Sequence, residues 1–287
     1  MLCCDFATRT DALETGQRRQ VTALLVAGRR PGIDPLAAHF GVEDKALIPV
    51  ADEPMLSRVA RVLADHPDVA RTIVLAQAPE RLLAHPGTAW MATDARIGVL
   101  AGGNSVSAAV AGALEASPDG WPFLVTTADN VLLDAETLSD FIAGAETRGT
   151  DVAVGLVSRD VFARAYPDAR RTWLTFRGGA YSGANLFFLA RPAALSAVRF
   201  WERVESERKK VRAIARAFGP GLLAGYLLRA MRVEGALARA GARLGVTAAP
   251  VLLARPEACI DVDKVEDHAI ASAILAERIP HPATFPG

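Results

Sequence analysis

A nearly unbroken apolar run occupies residues 21–27 (VTALLVA). Its lack of polar alternation predicts a strand buried on both faces, as in a parallel sheet. Farther along, Met55, Val59, Val62 and Leu63 fall on one stripe of a helix predicted over 54–63. The runs 72–77 and 97–100 predict two more strands, and GGNS at 102–105 opens an alanine-rich helix over 106–116. A buried strand is expected over 121–127, ending at Asp129 and Asn130, with Asp134 as the N-cap of a helix over 135–147. Another strand is expected over 152–157. Strands alternating with helices predict an α/β fold, a three-layer Rossmann-like arrangement around a mostly parallel sheet.

The second half is less regular. Residues 173–176, 178–179 and 181–189 read as a hairpin-like excursion. From 192 to about 245 the pattern is helical and includes a basic cluster at 207–210. A strand follows at 247–253, with Cys259 and Ile260 extending it, and a closing helix starts at Val265. With 287 residues, 51% of them hydrophobic, the chain can bury a large core. Neither a repeat nor a low-complexity linker divides it. The expectation is one domain over 20–287, with 192–245 as a helical insertion and 1–19 as a polar leader.

Lys+Arg and Asp+Glu balance at 32 each. No global field therefore favours nucleic acid or membrane, and any anion binding must come from local clusters. The three cysteines, Cys3, Cys4 and Cys259, form no CxxC pair or disulfide framework. Together with an N-terminus lacking the shape of a signal peptide, that points to the cytoplasm. The apolar stretch 217–228 is too short and too interrupted by glycine and proline to span a bilayer. It reads as a core-facing or homodimer-facing helix, or, more sharply, as a peripheral membrane or lipid-acceptor contact through 211–231.

The candidate chemistry gathers at strand ends. After Ala27 the chain enters Gly28, Arg29, Arg30, Pro31 and Gly32, a turn whose glycines admit close backbone approach and whose arginines match phosphate oxygens. Lys45 follows in EDKAL, within reach of the same phosphates. Asp129 stands at the end of a buried strand, the edge where open α/β sheets bind ligands. The segment DVDKVED at 261–267 supplies a second acidic cluster. One divalent cation held by carboxylates from two distant strand ends, with phosphate oxygens completing the shell, suits Mg²⁺. Asp263 is first a candidate metal ligand and second a candidate N-cap for the closing helix. Ser105, with Gly102 and Gly103, could hold a nucleobase or ribose or simply cap a helix. No zinc spacing, Walker A loop or GxSxG elbow is present.

Four of these pieces, in order, resemble the MobA-like NTP transferases, nucleotidyltransferases of the GT-A-like fold that include the molybdenum-cofactor guanylyl- and cytidylyltransferases. Leu25, Val26, Ala27, Gly28, Arg30 and Gly32 are similar to the family's L-A-G-G-x-x-x-R-x-G loop; Lys45 matches the lysine of its K-x-L element. Asp129 falls at the strand-end metal aspartate, and 261–267 is similar to the N/D-x-N/D-T-P-E-D segment, with Asp263 as second metal ligand. The resemblance implies transfer of an NMP from an NTP to a phosphorylated small-molecule acceptor, with release of pyrophosphate. It implies Mg²⁺ on Asp129 and Asp263, Arg30 and the Gly28 turn on the β and γ phosphates, Lys45 on the α-phosphate, and Ser105 near the base. Asn185 would face the acceptor, and the basic residues Lys209 and Lys210 could bind a second phosphate there or simply form a solvated face. The chain departs from the pattern at Arg29, in the length of the loop to Lys45, and in the block 192–245. Two other readings stay open: a GT-A glycosyltransferase using Asp261 and Asp263 as a DxD motif, and a non-catalytic nucleotide-binding scaffold subunit.

Overall fold

The computed structural model describes residues 20–28, 32, 34–103, 105–169, 171–206, 225–226 and 228–278. Its first half follows the expected alternation: β1 (Val21–Val26), α1 (Pro35–His39), the short pair β2 (Pro49–Val50) and β3 (Glu53–Pro54), then α2 (Met55–Ala64) and β4 (Val69–Ala76). There follow α3 (Pro79–Ala84), β5 (Ile97–Ala101), α4 (Val106–Ala116), β6 (Phe123–Thr127), α5 (Ala135–Arg148), β7 (Val152–Ser158) and α6 (Arg159–Ala165). The remainder comprises β8 (Leu174–Phe176), β9 (Gly179–Leu189), α7 (Leu195–Ser206), a helix Val233–Arg243, β10 (Ala248–Leu253) and the closing helix Val265–Arg278. No described helix is long and apolar enough to cross a membrane.

The main sheet has eight strands in the order β10-β7-β9-β6-β1-β4-β5, with β8 paired to β9. Strand β1 lies parallel to both β4 and β6, and β7 lies parallel to β10, whereas β9 is antiparallel to β6, β7 and β8. Every other strand of this sheet therefore runs one way, and the loops leaving β1, β4, β5, β6, β7 and β10 emerge at one edge. The apolar run in β1 is continuous because both its faces are covered. Val21, Ala23 and Leu25 join the core beneath α2 and α5; Leu24 and Val26 join a second core with α4.

Two sequence expectations are corrected. The segment 173–189 is a hairpin, β8 pairing antiparallel with β9, but not an excursion: β9 is an interior strand wedged between β6 and β7. Cys259 does not extend the last strand; it ends a 3-10 turn over Pro256–Cys259 that follows β10. The proline at 256 initiates that turn, since it cannot donate to a strand ladder. The 1–19 leader, most of 211–231, and Arg208, Lys209 and Lys210 lie outside the described residues.

A polar staple holds β9 and β10 to β7. Asp151 Oδ2 accepts bonds from Thr247 N and Oγ1, both 2.7 Å, while Arg191 Nε lies 2.8 Å from its Oδ1. The Asp151 carbonyl accepts from Ala190 N at 2.9 Å. The Thr247 amide and hydroxyl, ahead of the Arg191 charge, hold the Asp151 carboxyl below its usual range. A depressed carboxylate pKa contributes stability above the ordinary range, and that contribution is lost as pH falls through the folded-state value. Asp151→Ala should cost roughly 1–3 kcal/mol at neutral pH. In urea melts across pH, the gap between variant and wild type should close below about pH 4; a constant gap would separate the staple from the carboxylate's charge.

Candidate functional site

At the sheet edge, Ala27 is still paired, its N donating to Leu75 O at 2.9 Å, and Gly28 is the first exposed residue after β1. A β-carbon on Gly28 would come within 3.1 Å of Gln77 Nε2, so the side chain leaving β4 lies directly against this turn. Gly32 has φ +103°, a left-handed conformation suited to glycine. Arg29 and Arg30, between them, lie outside the described residues. The chain re-forms at Asp34, whose carboxylate accepts from Leu36 N (2.9 Å) and Ala37 N (3.0 Å) and starts α1.

Lys45 begins a 3-10 turn over Lys45–Leu47. Arg81 of α3 fixes the two residues before it, bonding Glu43 and reaching Asp44 Oδ1 at 3.2 Å. From there Lys45 Nζ donates to Asp129 Oδ2 at 2.8 Å and to Asp263 Oδ1 at 2.6 Å. These partners stand 84 and 218 residues away in the chain. Burial alone would depress the Lys45 ammonium. The charge of Asp129, with hydrogen bonds to Asp129 and Asp263, outweighs that penalty and raises its pKa above the ordinary lysine value.

Asp129 sits two residues beyond β6. Its Oδ1 accepts from Thr127 Oγ1 at 2.5 Å, and its carbonyl accepts from Val262 N at 3.0 Å. That backbone bond draws the 261–263 segment to the strand end. Buried Asn130 donates to Ala184 O at 3.1 Å and Thr126 Oγ1 at 3.3 Å, tying the same turn to β9. The N–H groups of Asp263 and Lys264 donate to Asp267 Oδ2, at 3.3 and 3.1 Å, and the Asp263 carboxylate, 57% exposed, reaches Lys45.

Asp261 has other partners: Arg171 Nη2 at 2.5 Å and Asn185 Nδ2 at 3.3 Å. Asn185 has φ +50° where the pairing of β7 with β9 shifts register between Val154 and Leu156. This bulge turns its side chain to the Asp261 loop. Ser105 is the N-cap of α4, accepting from Ala108 N at 3.2 Å. Ser107, in the first turn of α4, bonds the Glu205 carboxylate through its hydroxyl and, at 3.2 Å, its amide.

The structure thus brings Lys45, Asp129 and Asp263 together and puts Asn185 beside Asp261. Ala27, Gly28, Gly32 and Ser105 lie on loops of the same sheet edge. Lys209, Lys210 and Arg30 fall outside the described residues. Sequence reading missed Arg81, Gln77 and Arg171, lone polar residues whose spacing carries no signal. Two carboxylates around one ammonium leave a net negative charge and an all-oxygen donor set. Mg²⁺ is commonly held by one or two carboxylates plus substrate phosphates and waters, so the residues fit such an ion. Among the described residues no group of three or more His, Cys, Asp or Glu could cage a metal unaided.

A comparison with curated proteins returned no matching sequence. Among solved structures, a hypothetical transferase from Thermus thermophilus is 26% identical, with TM-score 0.70, covering 87% of this chain and 99% of that one. CMP:2-keto-3-deoxy-manno-octonic acid synthetase complexed with CTP gives TM-score 0.57 at 10% identity, covering 91% of this chain and all of that one. The 4-diphosphocytidyl-2C-methyl-D-erythritol synthase of Anaerococcus prevotii gives 0.53 at 11% identity, with the same coverage, 91% and 100%. At such identities these last two bear on the fold alone. The sequence itself matches the MobA-like NTP transferase domain over residues 24–278, most of its length. The chain accordingly belongs to the MobA-like NTP transferase family and is a nucleotidyltransferase.

Proposed function

We propose that this nucleotidyltransferase moves an NMP from an NTP to a phosphorylated small-molecule acceptor and releases pyrophosphate. The observation that carries this reading is the Lys45 ammonium, bonded at once to Asp129 and Asp263 at the strand edge beside Gly28. An acceptor phosphate oxygen attacks the α-phosphorus in line, the α–β bridging P–O bond breaks, and pyrophosphate leaves with that oxygen. No covalent enzyme group is needed; the protein's task is positioning and charge neutralisation.

Lys45 bears on the α-phosphate, and the backbone at Ala27, Gly28 and Gly32 with Arg30 holds the β and γ phosphates. Gln77 covers one side of this turn, and the loop carrying Ser105 sits near the base. Asp129 and Asp263 would hold Mg²⁺, which when bound supplies Lewis-acid neutralisation of phosphate oxygens. The acceptor side includes Asn185 and the insertion within 192–245, where Lys209 and Lys210 would meet a second anionic group. We read residues 20–287 as one catalytic unit on this basis.

A nucleotide-sugar glycosyltransferase would need Asp261 and Asp263 as a shared ligand pair. Here Asp261 is engaged by Arg171 and Asn185 while Asp263 faces Lys45, so the geometry does not support that pairing.

Asp129→Asn and Asp263→Asn should each lower transfer roughly a thousandfold, equivalent to about 4 kcal/mol of barrier. The measurement is pyrophosphate release from each of the four NTPs against a panel of phosphorylated polyols, sugars and pterins. Near-normal turnover in either variant would remove the carboxylates from the reaction.

Lys45→Met separates two roles. Without its ammonium between the carboxylates, Mn²⁺ should bind more tightly in the absence of nucleotide, about tenfold or more by electron paramagnetic resonance titration. Transfer should slow all the same. Unchanged or weaker Mn²⁺ binding would mean that lysine and cation do not share a place.

A further inference from the structure

The loop that presents Asp263 is held from outside by a residue with no assigned part in the site. Arg171 lies between α6 and β8, its side chain only 13% exposed. Its Nη2 donates to the carbonyl of Cys259 and to Asp261 Oδ1, the latter at 2.5 Å, and its Nη1 lies 3.7 Å from Asp267 Oδ1. These three points bracket Asp263. Asp267 in turn accepts the backbone N–H groups of Asp263 and Lys264. One planar guanidinium therefore grips the loop before, beside and after the exposed carboxylate.

We propose that Arg171 is a positioning residue: by clamping residues 259–267 it sets the Asp263 carboxylate opposite Asp129. This rests on the reading of Asp129 and Asp263 as a cation-holding pair. Arg171 contacts neither of those carboxylates, so it acts through the loop. The segment carries Asp261, Asp263, Glu266 and Asp267 against Lys264 alone. Asp261 and Asp267 are 26% and 19% exposed, poorly screened positions for like charges. With the guanidinium gone, their repulsion opens the turn and shifts the Asp263 carboxylate, itself 57% exposed, out of alignment. The Val262 amide bond to Asp129 keeps one end in place, so the loss is of alignment and not of the whole loop.

The test uses Arg171→Ala, Arg171→Lys and Asp261→Asn in the full chain. Supports that orient a ligand side chain are typically worth about 10–100-fold in metal affinity. Arg171→Ala should raise the Mg²⁺ concentration for half-maximal pyrophosphate release by that factor, with excess Mg²⁺ restoring most of kcat. Mn²⁺ bound in the presence of NTP, followed by paramagnetic resonance, should weaken in parallel. Lysine supplies the charge without the fork and should recover part of the shift. Adding Arg171→Ala to Asp263→Asn should cost no more than about a further twofold, because the clamp's effect passes through Asp263. An unchanged cation requirement in the folded alanine variant, or full multiplicative losses in the double variant, would overturn the proposal. Should the alanine variant not fold, Asp261→Asn and Arg171→Lys carry the same readouts with one arm of the clamp altered, and no shift in either overturns it. Mn²⁺ binding that survives Asp129→Asn would instead strike at the cation-pair reading.

Discussion

Three charges meet where three distant stretches of chain end. A lysine ammonium that is largely withdrawn from water is unfavourable alone, and so is the carboxylate of Asp129, 20% exposed. Each is tolerable because the other is there, and Asp263, bonding the same ammonium from the solvent side, leaves the group with one net negative charge. The surrounding structure can be understood as the means of holding those three groups in register. Arg81 pins the residues before Lys45, Thr127 turns Asp129 by a hydroxyl bond, and the Val262 amide brings the acidic loop onto the strand end. Because removing either partner of a buried pair strands the other, the triad constrains the fold as well as serving the site.

The antiparallel strand β9 determines what lies beside that triad. It enters between β6 and β7 and bonds β6 only over Phe123–Val125. Past that point its bulge leaves room at the edge. Asn130 closes the resulting gap by bonding the Ala184 carbonyl, and Asn185 turns toward Asp261. The edge is divided accordingly. Parallel strands β1, β4 and β5 bring their loops to one side, with Gly28, Gln77 and the Gly102–Gly103 turn in contact; β9 and the loop after β10 form the other. The proposed transfer of a nucleotide to a second phosphate would use two such neighbouring compartments with one shared set of charges between them.

The first half of this arrangement was legible in the sequence because its determinants are local. An apolar run without alternation has one simple explanation, a strand covered on both faces, and β1 fulfils it residue by residue in two separate cores. Asp134 and Ser105 cap the helices that follow them, as their type and position require. The interior placement of β9 was not legible. Its residues 181–189 have the composition of any strand, and only long-range pairing decides whether such a hairpin sits within or outside a sheet. Cys259 was misread for a related reason: short apolar residues after a strand continue it only if a neighbour offers a ladder, and Pro256 had already turned the chain.

Within the candidate site, the same distinction separates the three clustered charges from their supports. A site for phosphates calls for Lys or Arg to meet their charge, or Asp to hold a cation that does, on turns at strand ends, so residue type and location together narrow the choice, and Lys45, Asp129 and Asp263 could be picked out as candidates that the structure brings together. Groups that orient them face no such restriction. Any long side chain that reaches a carbonyl or a carboxylate will serve, from any element that passes nearby. Arg171 and Arg81 therefore look in sequence like ordinary surface arginines and acquire their meaning only from what they touch. Recognition of an acceptor would be of this second kind, since a small molecule can be met by many combinations of polar side chains, which is why the chemistry of the transfer can be read from the chain more directly than the molecule that receives the nucleotide.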